Sequence, residues 1–227
     1  MSDLPCAGGK TIVLPFGDSI TAGANSTDTG GYRSPLFHLA HANGHDPLFV
    51  GGMENGPATV DGVAFSNHHE GHPGYKIDVS GSSDWYGITP MVEGVMSTQH
   101  PEIILLMIGT NDVLQSYDLA EAPNRLAILL DKIITAAPDA CLVVAMATPL
   151  SDDAGDAQIQ EYNSHIPGLV SSRASDGKHI GWVDMHSAFT ANANYETDYL
   201  ADGIHPKDAG YALMASTWYD AIQGLLD

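Results

Sequence analysis

The sequence predicts a single α/β domain whose parallel β-sheet is covered by helices on both faces. Short apolar runs alternate along the chain with amphipathic helical patterns, and this alternation is typical of parallel strands joined by crossover helices. No internal repeat, low-complexity tract or linker divides the 227 residues, a length at which one domain with a full core is expected. We therefore expect residues 1–227 to form one domain.

Five short apolar runs predict buried parallel strands. Strands of this kind have both faces covered, so they appear as nearly continuous apolar stretches rather than as alternating patterns. The runs are TIVLPF (11–16), PLFVG (47–51), EIILLMIG (102–109), CLVVAMAT (141–148) and HIGWVDM (179–185). In such sheets, ligands bind beside the carboxyl ends of the strands.

Two segments carry the strongest helical patterns. Between 122 and 137, apolar residues recur at steps of three and four, which marks one buried helix face, and Pro123 suits a first helical turn. The same periodicity extends over 208–226, where Asp208 is expected to be the N-cap. We expect both helices to pack on the sheet.

Three further segments have weaker helical patterns, and one long connection has none. The weaker helices are expected at 32–43, 89–98 and 157–174, and Pro167 should kink the last of them. Residues 52–88 are rich in Gly, Ser, Asn and His and are expected to form a long loop. Loops of this length in compact domains are usually functional or disordered, and this one contains the distinctive segment HHEGHPGYKID (68–78).

The strongly acidic composition excludes two classes of partner. The chain has 28 Asp and Glu against 8 Lys and Arg, which gives a formal net charge of −20. Long-range repulsion therefore opposes binding to nucleic acids and to anionic membrane surfaces. No apolar stretch in the sequence is long enough to span a membrane. The sequence begins without the basic and apolar regions of a signal peptide, so none is predicted, and the compartment and the oligomeric state are left open.

The two cysteines, Cys6 and Cys141, do not form the pattern of a disulfide framework. One lies near the start of the chain and the other begins a predicted strand. Spacing alone does not show whether two cysteines pair. We expect two free thiols.

Ser19 lies in PFGDSITAG, directly after the first predicted strand and before a Gly-rich stretch. A serine in the turn after a buried strand is held at the rim of the sheet, where its hydroxyl can face a cleft. The hydroxyl becomes an effective nucleophile when a neighbouring base accepts its proton. Ser19 is therefore a candidate nucleophile for which the rest of the chain must supply a base.

Asp202 and His205 lie three residues apart in DGIHP, just before the last predicted helix. A carboxylate at this spacing can accept a hydrogen bond from imidazole Nδ1, which leaves Nε2 available as a base for a serine hydroxyl. The alternative is that Asp202 caps the approaching helix and His205 is a surface histidine. The local spacing leaves both interpretations open.

Two other turns can supply hydrogen-bond donors. After the third predicted strand, Gly109 allows a sharp turn, and the side-chain amide of Asn111 can donate at the rim of the sheet. In HPGY, Gly74 can present its backbone N–H. Each turn also has a purely structural explanation, since Asn, Asp and Gly favour turns and Pro73-Gly74 suits a type II turn. Together with the N–H of Ser19, these donors could stabilise the oxyanion formed in serine-dependent acyl transfer.

Four blocks, in this order, resemble those of the SGNH hydrolases, also called the GDSL esterase/lipase family. The blocks are Gly17-Asp18-Ser19, Gly74, Gly109-x-Asn111 and Asp202-x-x-His205. The resemblance implies a flavodoxin-like three-layer α/β/α sandwich with a five-stranded parallel sheet. It also implies that Ser19 is the nucleophile, His205 the base and Asp202 its partner, with Ser19, Gly74 and Asn111 as the oxyanion hole. This chemistry needs no cofactor.

Longer stretches are similar to the carbohydrate-esterase branch that holds the acetyl xylan esterases, carbohydrate esterase family three. They are PFGDSITAG, GGYRSPLFHLA, PLFVGG, HHEGHPGYKID, IILLMIGTNDV and DGIHPKDAGYALMASTWYDAI. That branch removes small acyl groups, usually acetyl, from polysaccharide hydroxyls. The resemblance implies a small acyl ester or an acetylated carbohydrate such as xylan as substrate, and it suits an extracellular location. The alternatives are a general short-chain, lipolytic or thioester-cleaving member of the same superfamily, and a glycan-binding module with a decayed site.

No metal site is predicted from the acidic and histidine-rich segments. His68, His69, Glu70 and His72 lack the spacing of a zinc helix motif, and we expect this part of the loop to fold against the site and order Gly74. The segment SDDAGD (151–156) has carboxylates that suit Ca²⁺ but not the EF-hand pattern, so we interpret it as a solvated acidic loop.

The remaining candidates are supporting residues. Asp18 and Asp112 are expected to hold turns through backbone hydrogen bonds rather than to act in catalysis. Arg33 either braces the Ser19 loop through a carboxylate or is a surface cation. Tyr75 and Trp85 are candidate substrate-loop aromatics, whose alternative role is to pack the loop down.

Overall fold

Parallel strands form the centre of the protein, as the apolar runs predict. The structure, a computed structural model, describes residues 4–79 and 86–227. Within these ranges the strands are β1 (Ile12–Gly17), β2 (Leu48–Phe49), β3 (Met53–Glu54), β4 (Thr59–Val60), β5 (Val63–Ala64), β6 (His68–Gly71), β7 (Ile103–Met107), β8 (Cys141–Ala145) and β9 (Ile180–Val183).

Helices follow the strands in sequence and cover them in space. In the described part of the chain they are α1 (Ser19–Ala22), α2 (Arg33–Ala42), α3 (Val92–Gln99), α4 (Thr110–Leu114), α5 (Ala122–Ala136), α6 (Asp153–Ser175), α7 (Met185–Thr190), α8 (Tyr195–Asp198) and α9 (Asp208–Ile222). Short 3₁₀ turns precede α3 and α5.

The five strands predicted from the sequence are parallel and lie in the order β2-β1-β7-β8-β9. This is the flavodoxin-like order, in which the direction of strand addition reverses between the first strand of the chain and its inner neighbour. That reversal lies between β1 and β7, which pair along Val13–Gly17 and Ile103–Met107. The crevice where such folds bind ligands is therefore expected at the ends of these two strands.

Two hydrophobic cores fill the space between sheet and helices. Alternate residues of the strands point to opposite faces. One face packs against α2 and α9, with Trp218 and Tyr32 fully buried there. The other face packs against α3, α5 and α6, where Leu129 and Ile166 are fully buried. The result is a three-layer α/β/α arrangement with a mostly parallel sheet, which confirms the predicted fold class. The sheet has seven strands in the described residues instead of the expected five, because β6 and β3 add to it.

The long connection is more ordered than the expected loop. Strand β6 pairs in parallel with the end of β1, at Phe16–Glu70 and Gly17–Gly71, and β3 pairs antiparallel with β6. Strands β4 and β5 form a separate hairpin. The sequence of β6, HHEG, has no apolar alternation, and its extended form depends on pairing with the last residues of β1. This pairing places the following Gly74 turn beside the loop that holds Ser19.

Two helix expectations were wrong in detail. Helix α6 begins at Asp153 instead of 157, because the carboxylate of Asp152 caps it by accepting from the N–H of Gly155 at 2.7 Å. The acidic segment is therefore a helix start, and the helix continues without interruption past Pro167. Asp208 is not the N-cap of α9, since Lys207 occupies that position and the Asp208 carboxylate binds Thr27 instead.

Cys6 and Cys141 form a disulfide, so the expectation of two free thiols was wrong. The bond joins the N-terminal segment to the first residue of β8, across a separation of 135 residues. Cys141 is fully buried, at the amino end of its strand. The sequence spacing held no information about this pairing, which depends on how the N-terminal segment packs under the sheet.

Candidate active site

The turn after β1 holds Ser19 at the crevice. Gly17 ends the strand, and a Cβ at this position would come within 2.1 Å of the carbonyl oxygen of Met107, so the close approach of β1 and β7 requires glycine. Asp18 then caps the single turn of α1, with Oδ1 accepting from the N–H of Ile20 at 2.9 Å. Ser19 is the first residue of this turn and is partly exposed. The tight strand-to-helix turn therefore aims its side chain out of the sheet.

Ser19, His205 and Asp202 are brought together although 186 residues separate the serine from the histidine. The Ser19 hydroxyl lies 2.9 Å from Nε2 of His205. On the other side of the ring, Nδ1 lies 2.9 Å from Oδ2 of Asp202. With Nδ1–H donating to the carboxylate, Nε2 is left to accept the serine proton. The geometry thus favours the catalytic interpretation of DGIHP over a helix cap with a surface histidine.

The Asp202 carboxylate is held in its ionised form by a set of donors. Partial burial alone would raise the pKa of Asp202, but hydrogen bonds from the backbone N–H and ring of His205 and from the N–H of Ile204 lower it to about 2. Asn25 adds a further donor, with Nδ2 at 2.8 Å from Oδ2. A carboxylate with this pKa is ionised near neutral pH, so it can orient the imidazole and stabilise its positive charge.

Asn25 belongs to a loop that joins the Ser19 turn to the segment carrying His205. Thr27 donates to the carboxylate of Asp208 from its backbone N–H at 2.8 Å and from its hydroxyl at 2.6 Å. The hydroxyl of Tyr211 donates to the carbonyl of Ala24 at 2.6 Å. These contacts fix the start of α9 against the loop after α1. Sequence reasoning missed Asn25, because no motif marks a residue 177 positions away from its partner.

Gly74 lies in the type II turn that Pro73-Gly74 predicts. The N–H of Tyr75 donates to the carbonyl of His72 at 3.1 Å, and Gly74 has a φ of 81°, as the third position of such a turn requires. This turn leaves the N–H of Gly74 outside its own hydrogen bond. Within residues 4–79 and 86–227, the backbone N–H groups of Gly74 and Ser19 have no hydrogen-bond partner, so both are available as donors.

Asn111 connects the Gly74 turn to the end of β7. Gly109, with a φ of 119°, is the N-cap of α4, and Asn111 lies in the first turn of this helix. One amide hydrogen of Asn111 points to the carbonyl of Tyr75, with Nδ2 at 3.0 Å. An amide group has two hydrogens, so the second remains for a ligand. The contact holds the side chain of Asn111 at the same rim as the Gly74 turn.

A hydrogen-bonded clamp fixes residues 74–77 on α4. Nε2 of Gln115 lies 3.3 Å from the carbonyl of Gly74, and its Oε1 accepts from Nζ of the buried Lys76 at 2.6 Å. The N–H of Ile77 donates to Oδ2 of Asp112 at 3.0 Å. Sequence reasoning missed Gln115, whose role depends on contacts about 40 residues away along the chain.

Asp112 accepts a backbone hydrogen bond, from Ile77, as expected, and it also forms an ion pair with Arg125, which was not predicted. Nη2 of Arg125 lies 2.9 Å from Oδ1 of Asp112, whose side chain is fully buried. Burial raises the pKa of Asp112, while the Arg125 hydrogen bond and the N–H of Ile77 oppose this rise. The guanidinium also lies 4.7 Å from the centre of the Tyr117 ring. Arg125 of α5 therefore holds the Asp112 carboxylate, which in turn binds the N–H of Ile77.

Asp18 and Arg33 are both buried and support the Ser19 loop. Burial raises the pKa of Asp18 to about 6, against opposing hydrogen bonds and the nearby His205. Arg33 braces the loop, but not through a carboxylate as expected. Its guanidinium donates to the carbonyls of Asn67 at 2.8 Å, Asn55 at 3.0 Å and Ala22 at 3.1 Å, so it joins the Ser19 loop to the long connection.

The histidine-rich segment packs under the Gly74 turn, as expected. The N–H of His72 donates to the carbonyl of Gly17 at 2.9 Å, and its Nε2 lies 2.8 Å from the buried Glu70 carboxylate, which also accepts from Gly52. Burial lowers the pKa of His69 to about 3, and its Nδ1 accepts from the N–H of Gly71. No group of three or more His, Cys, Asp or Glu within 4–79 and 86–227 is arranged to hold a metal ion.

The substrate-loop aromatics are only partly described. The ring of Tyr75 packs between His72 at 5.0 Å and Tyr86 at 5.4 Å, and the Tyr86 side chain is 56% exposed. Trp85 lies outside the described residues. On the other side of the crevice, a groove of about 380 Å³ borders Asp202 and α6.

Known proteins share this fold along nearly the whole chain. The protein is similar to a family 3 carbohydrate esterase from Clostridium thermocellum, with a TM-score of 0.78 and 29% identity over 94% of this chain and 95% of that one. It is also similar to an acetyl esterase solved with an acetate ion, with a TM-score of 0.76 and 25% identity over 95% and 97% of the two chains.

Curated relatives are longer proteins. A multidomain esterase from Ruminococcus flavefaciens is 30% identical over an alignment of 242 positions, which covers 98% of this chain but 30% of that protein. A putative endoglucanase X from Acetivibrio thermocellus is 32% identical over 132 residues, 58% of this chain and 54% of that protein. This chain therefore spans little more than half of the second relative's length, and less than a third of the first.

Residues 16–213 match the GDSL-like lipase/acylhydrolase family, and this range includes all four motif blocks. Among the described residues, no helix is long and apolar enough to cross a membrane. The match confirms the resemblance seen in the sequence: the chain belongs to the GDSL-like lipase/acylhydrolase family.

Proposed function

We propose that the protein is a serine esterase that removes acetyl-type groups from carbohydrate hydroxyls. The observation that carries the serine mechanism is the Ser19–His205–Asp202 chain, with 2.9 Å between successive partners. The carbohydrate preference is supported by the similarity to a family 3 carbohydrate esterase and to an acetyl esterase.

In the proposed reaction, His205 accepts the proton of Ser19 as its oxygen attacks the ester carbonyl. The negative oxygen of the tetrahedral intermediate accepts hydrogen bonds from the N–H groups of Ser19 and Gly74 and from the amide of Asn111. His205 then donates its proton to the leaving alcohol, which gives the acyl-enzyme. Water, activated by the same imidazole, releases the acid and restores the serine.

The geometry and charge of the site suit this cycle. Asp202 is ionised over the working pH range and holds Nδ1, so Nε2 can accept and return a proton. Two of the three proposed oxyanion donors have no partner among the described residues, and the third retains one unused hydrogen in the described structure. A ligand oxygen would therefore displace few internal hydrogen bonds.

The first experiment measures hydrolysis of 4-nitrophenyl acetate and labelling by a fluorophosphonate. Ser19→Ala is expected to abolish both while the circular dichroism spectrum and melting temperature stay close to those of the wild type. Turnover unchanged in Ser19→Ala would disprove the nucleophile assignment.

The second experiment separates the proposed substrate from its alternatives. Acetate release from acetylated xylan should be compared with release from other acetylated glycans and simple esters. In a series of 4-nitrophenyl esters, activity should fall from acetate to octanoate. A rise along the series would instead identify a lipolytic enzyme, and equal rates on glycans and simple esters would identify a general short-chain carboxylesterase.

A further inference from the structure

A groove extends from Asp202 along the side of α6 that faces residues 113–123. Its inner part has a volume of about 380 Å³, and its outer part has a volume of about 420 Å³. The inner part is bordered by residues that include Leu114, Ser151, Asp152, Gln158, Asp202 and Ile204. The outer part is bordered by residues that include Leu119, Pro123, Gln158, Glu161, Tyr162 and His165. Because Gln158 borders both parts, they adjoin at its side chain.

Helix α6 forms the floor that joins the two parts. Its groove residues Gly155, Gln158, Tyr162 and His165 are separated by three or four positions, so they lie on one face of the helix. From Gly155 to His165 this face is about 15 Å long at the rise of an α-helix. The two parts therefore follow one another along α6, and the inner part begins beside the proposed catalytic centre.

The lining combines hydrogen-bonding groups with aliphatic surface. Ser151 and Gln158 offer a hydroxyl and an amide, whereas Leu114, with 44% of its side chain exposed, offers an apolar edge. A sugar ring presents both apolar C–H faces and hydroxyl groups, so it matches such a surface. A fatty acyl chain would be expected to select a lining without these polar groups.

The charge of the groove selects against anions. Asp152 and Asp202 line the inner part and Glu161 lines the outer part, while neither part is lined by Lys or Arg in the described chain. Carboxylates repel anionic ligands and accept hydrogen bonds from hydroxyl groups. The groove therefore suits a neutral polyhydroxylated ligand rather than a uronic acid polymer or a phospholipid.

We propose that this groove binds the neutral glycan chain whose hydroxyl carries the acyl group, the leaving alcohol of the reaction. This inference rests on the proposed function. Asp202 borders the inner end of the groove and binds His205, the residue proposed to protonate the leaving alcohol. A glycan in the groove would thus lie beside the proposed triad, at Asp202, and extend along α6.

The test uses Gln158→Leu, which removes the amide at the junction while keeping the side chain about the same size. Loss of one net hydrogen bond should raise KM for acetylated xylo-oligosaccharides about fivefold. The value of kcat/KM for 4-nitrophenyl acetate, which lacks the glycan chain, should stay unchanged. The matched control is Gln160→Leu, since Gln160 is also exposed on α6 but borders neither part of the groove.

Two kinetic outcomes would overturn the proposal. Equal losses on both substrates would assign Gln158 a structural role. A selective gain on 4-nitrophenyl octanoate, with no change for the oligosaccharide, would show that the groove holds the acyl chain.

A binding measurement separates this proposal from the proposed function. Isothermal titration of the wild type with unacetylated xylo-oligosaccharide should show binding that Gln158→Leu weakens and Gln160→Leu does not. Oligosaccharide binding without hydrolysis of any acetyl ester would refute the proposed esterase function but support glycan binding in the groove. Hydrolysis of acetyl esters without any oligosaccharide binding would refute glycan binding in the groove but support the esterase function.

Discussion

Removing the Cys6–Cys141 disulfide should strongly destabilise the fold and leave the active site intact. Cys6→Ser is the preferred change, because Cys6 is only partly buried whereas Cys141 is fully buried in β8. The bond closes a loop across a separation of 135 residues. In the chain-entropy description, freeing a loop of this length stabilises the unfolded chain by about 5 kcal/mol.

The assay is guanidinium denaturation followed by circular dichroism, with thermal melting as a second measure. A loss of about 5 kcal/mol corresponds to a decrease in Tm of about 10–20 °C for a domain of this size. Hydrolysis of 4-nitrophenyl acetate at 25 °C should persist, because Cys141 begins β8 whereas the proposed triad lies at the carboxyl ends of the strands. A reductant should destabilise the wild type by a similar amount and leave Cys6→Ser unchanged.

Two results would refute this reasoning. The first is a wild-type protein that, once denatured without reductant, shows two reactive thiols. The second is a denaturation midpoint that is the same in the wild type and in Cys6→Ser. Either result would mean that the cross-link does not restrict the unfolded chain.

Three further predictions concern the site. Burial raises the pKa of Asp18 from 3.8 to about 6, so the free energy of unfolding of the wild type should fall as pH rises from about 4 to above 6. The free energy of unfolding of Asp18→Asn, measured by denaturation, should therefore increase by about 3 kcal/mol relative to the wild type between pH 4 and pH 8. Asn25→Gly removes a donor to Asp202 while allowing the φ of 65°, and should lower kcat about tenfold with little change in KM. Gln115→Leu releases the Gly74 carbonyl and should likewise lower kcat, about fivefold, with KM unchanged in steady-state assays.

Each of these predictions has a result that would contradict it. For Asp18→Asn, a stability difference independent of pH would show that the carboxyl does not titrate in this window. A rise in KM alone for Asn25→Gly would point to substrate contact rather than support of Asp202. Gln115→Glu keeps an acceptor for Lys76 without the amide donor, and wild-type kcat in this variant would shift the role of Gln115 from Gly74 to Lys76.

Strands with a continuous apolar sequence were predictable, and strands that depend on a neighbour were not. Strand β7 is buried along its whole length, so its composition alone indicates its state. Strand β6 has the sequence HHEG and is extended because the end of β1 offers it hydrogen-bond partners. The predicted strands 102–109 and 141–148 also extended too far at their carboxyl ends, since β7 ends at Met107 and β8 at Ala145. The apolar residues that follow each strand belong to turns at the crevice.

The candidate site divides in the same way. Ser19, Asn111 and His205 lie in short motifs with special turn chemistry, so sequence alone pointed to them. Gln115 and Asn25 carry no such signal, because a surface amide acquires a role only when the fold brings it to its partner. The disulfide is a similar case, since it depends on where the N-terminal segment runs.

The position of His205 after the last strand has a consequence for how the protein is made. Strand β9 ends at Val183, so every strand of the described structure and the Ser19 turn precede His205 in the order of synthesis. His205 and Asp208 come later, and α9 packs on α2 from the early part of the chain. If His205 is the base, as proposed, a nascent chain carries Ser19 without this proton acceptor until residue 205 has been synthesised. The proposed reactivity of Ser19 would then arise late, only once His205 has packed against it.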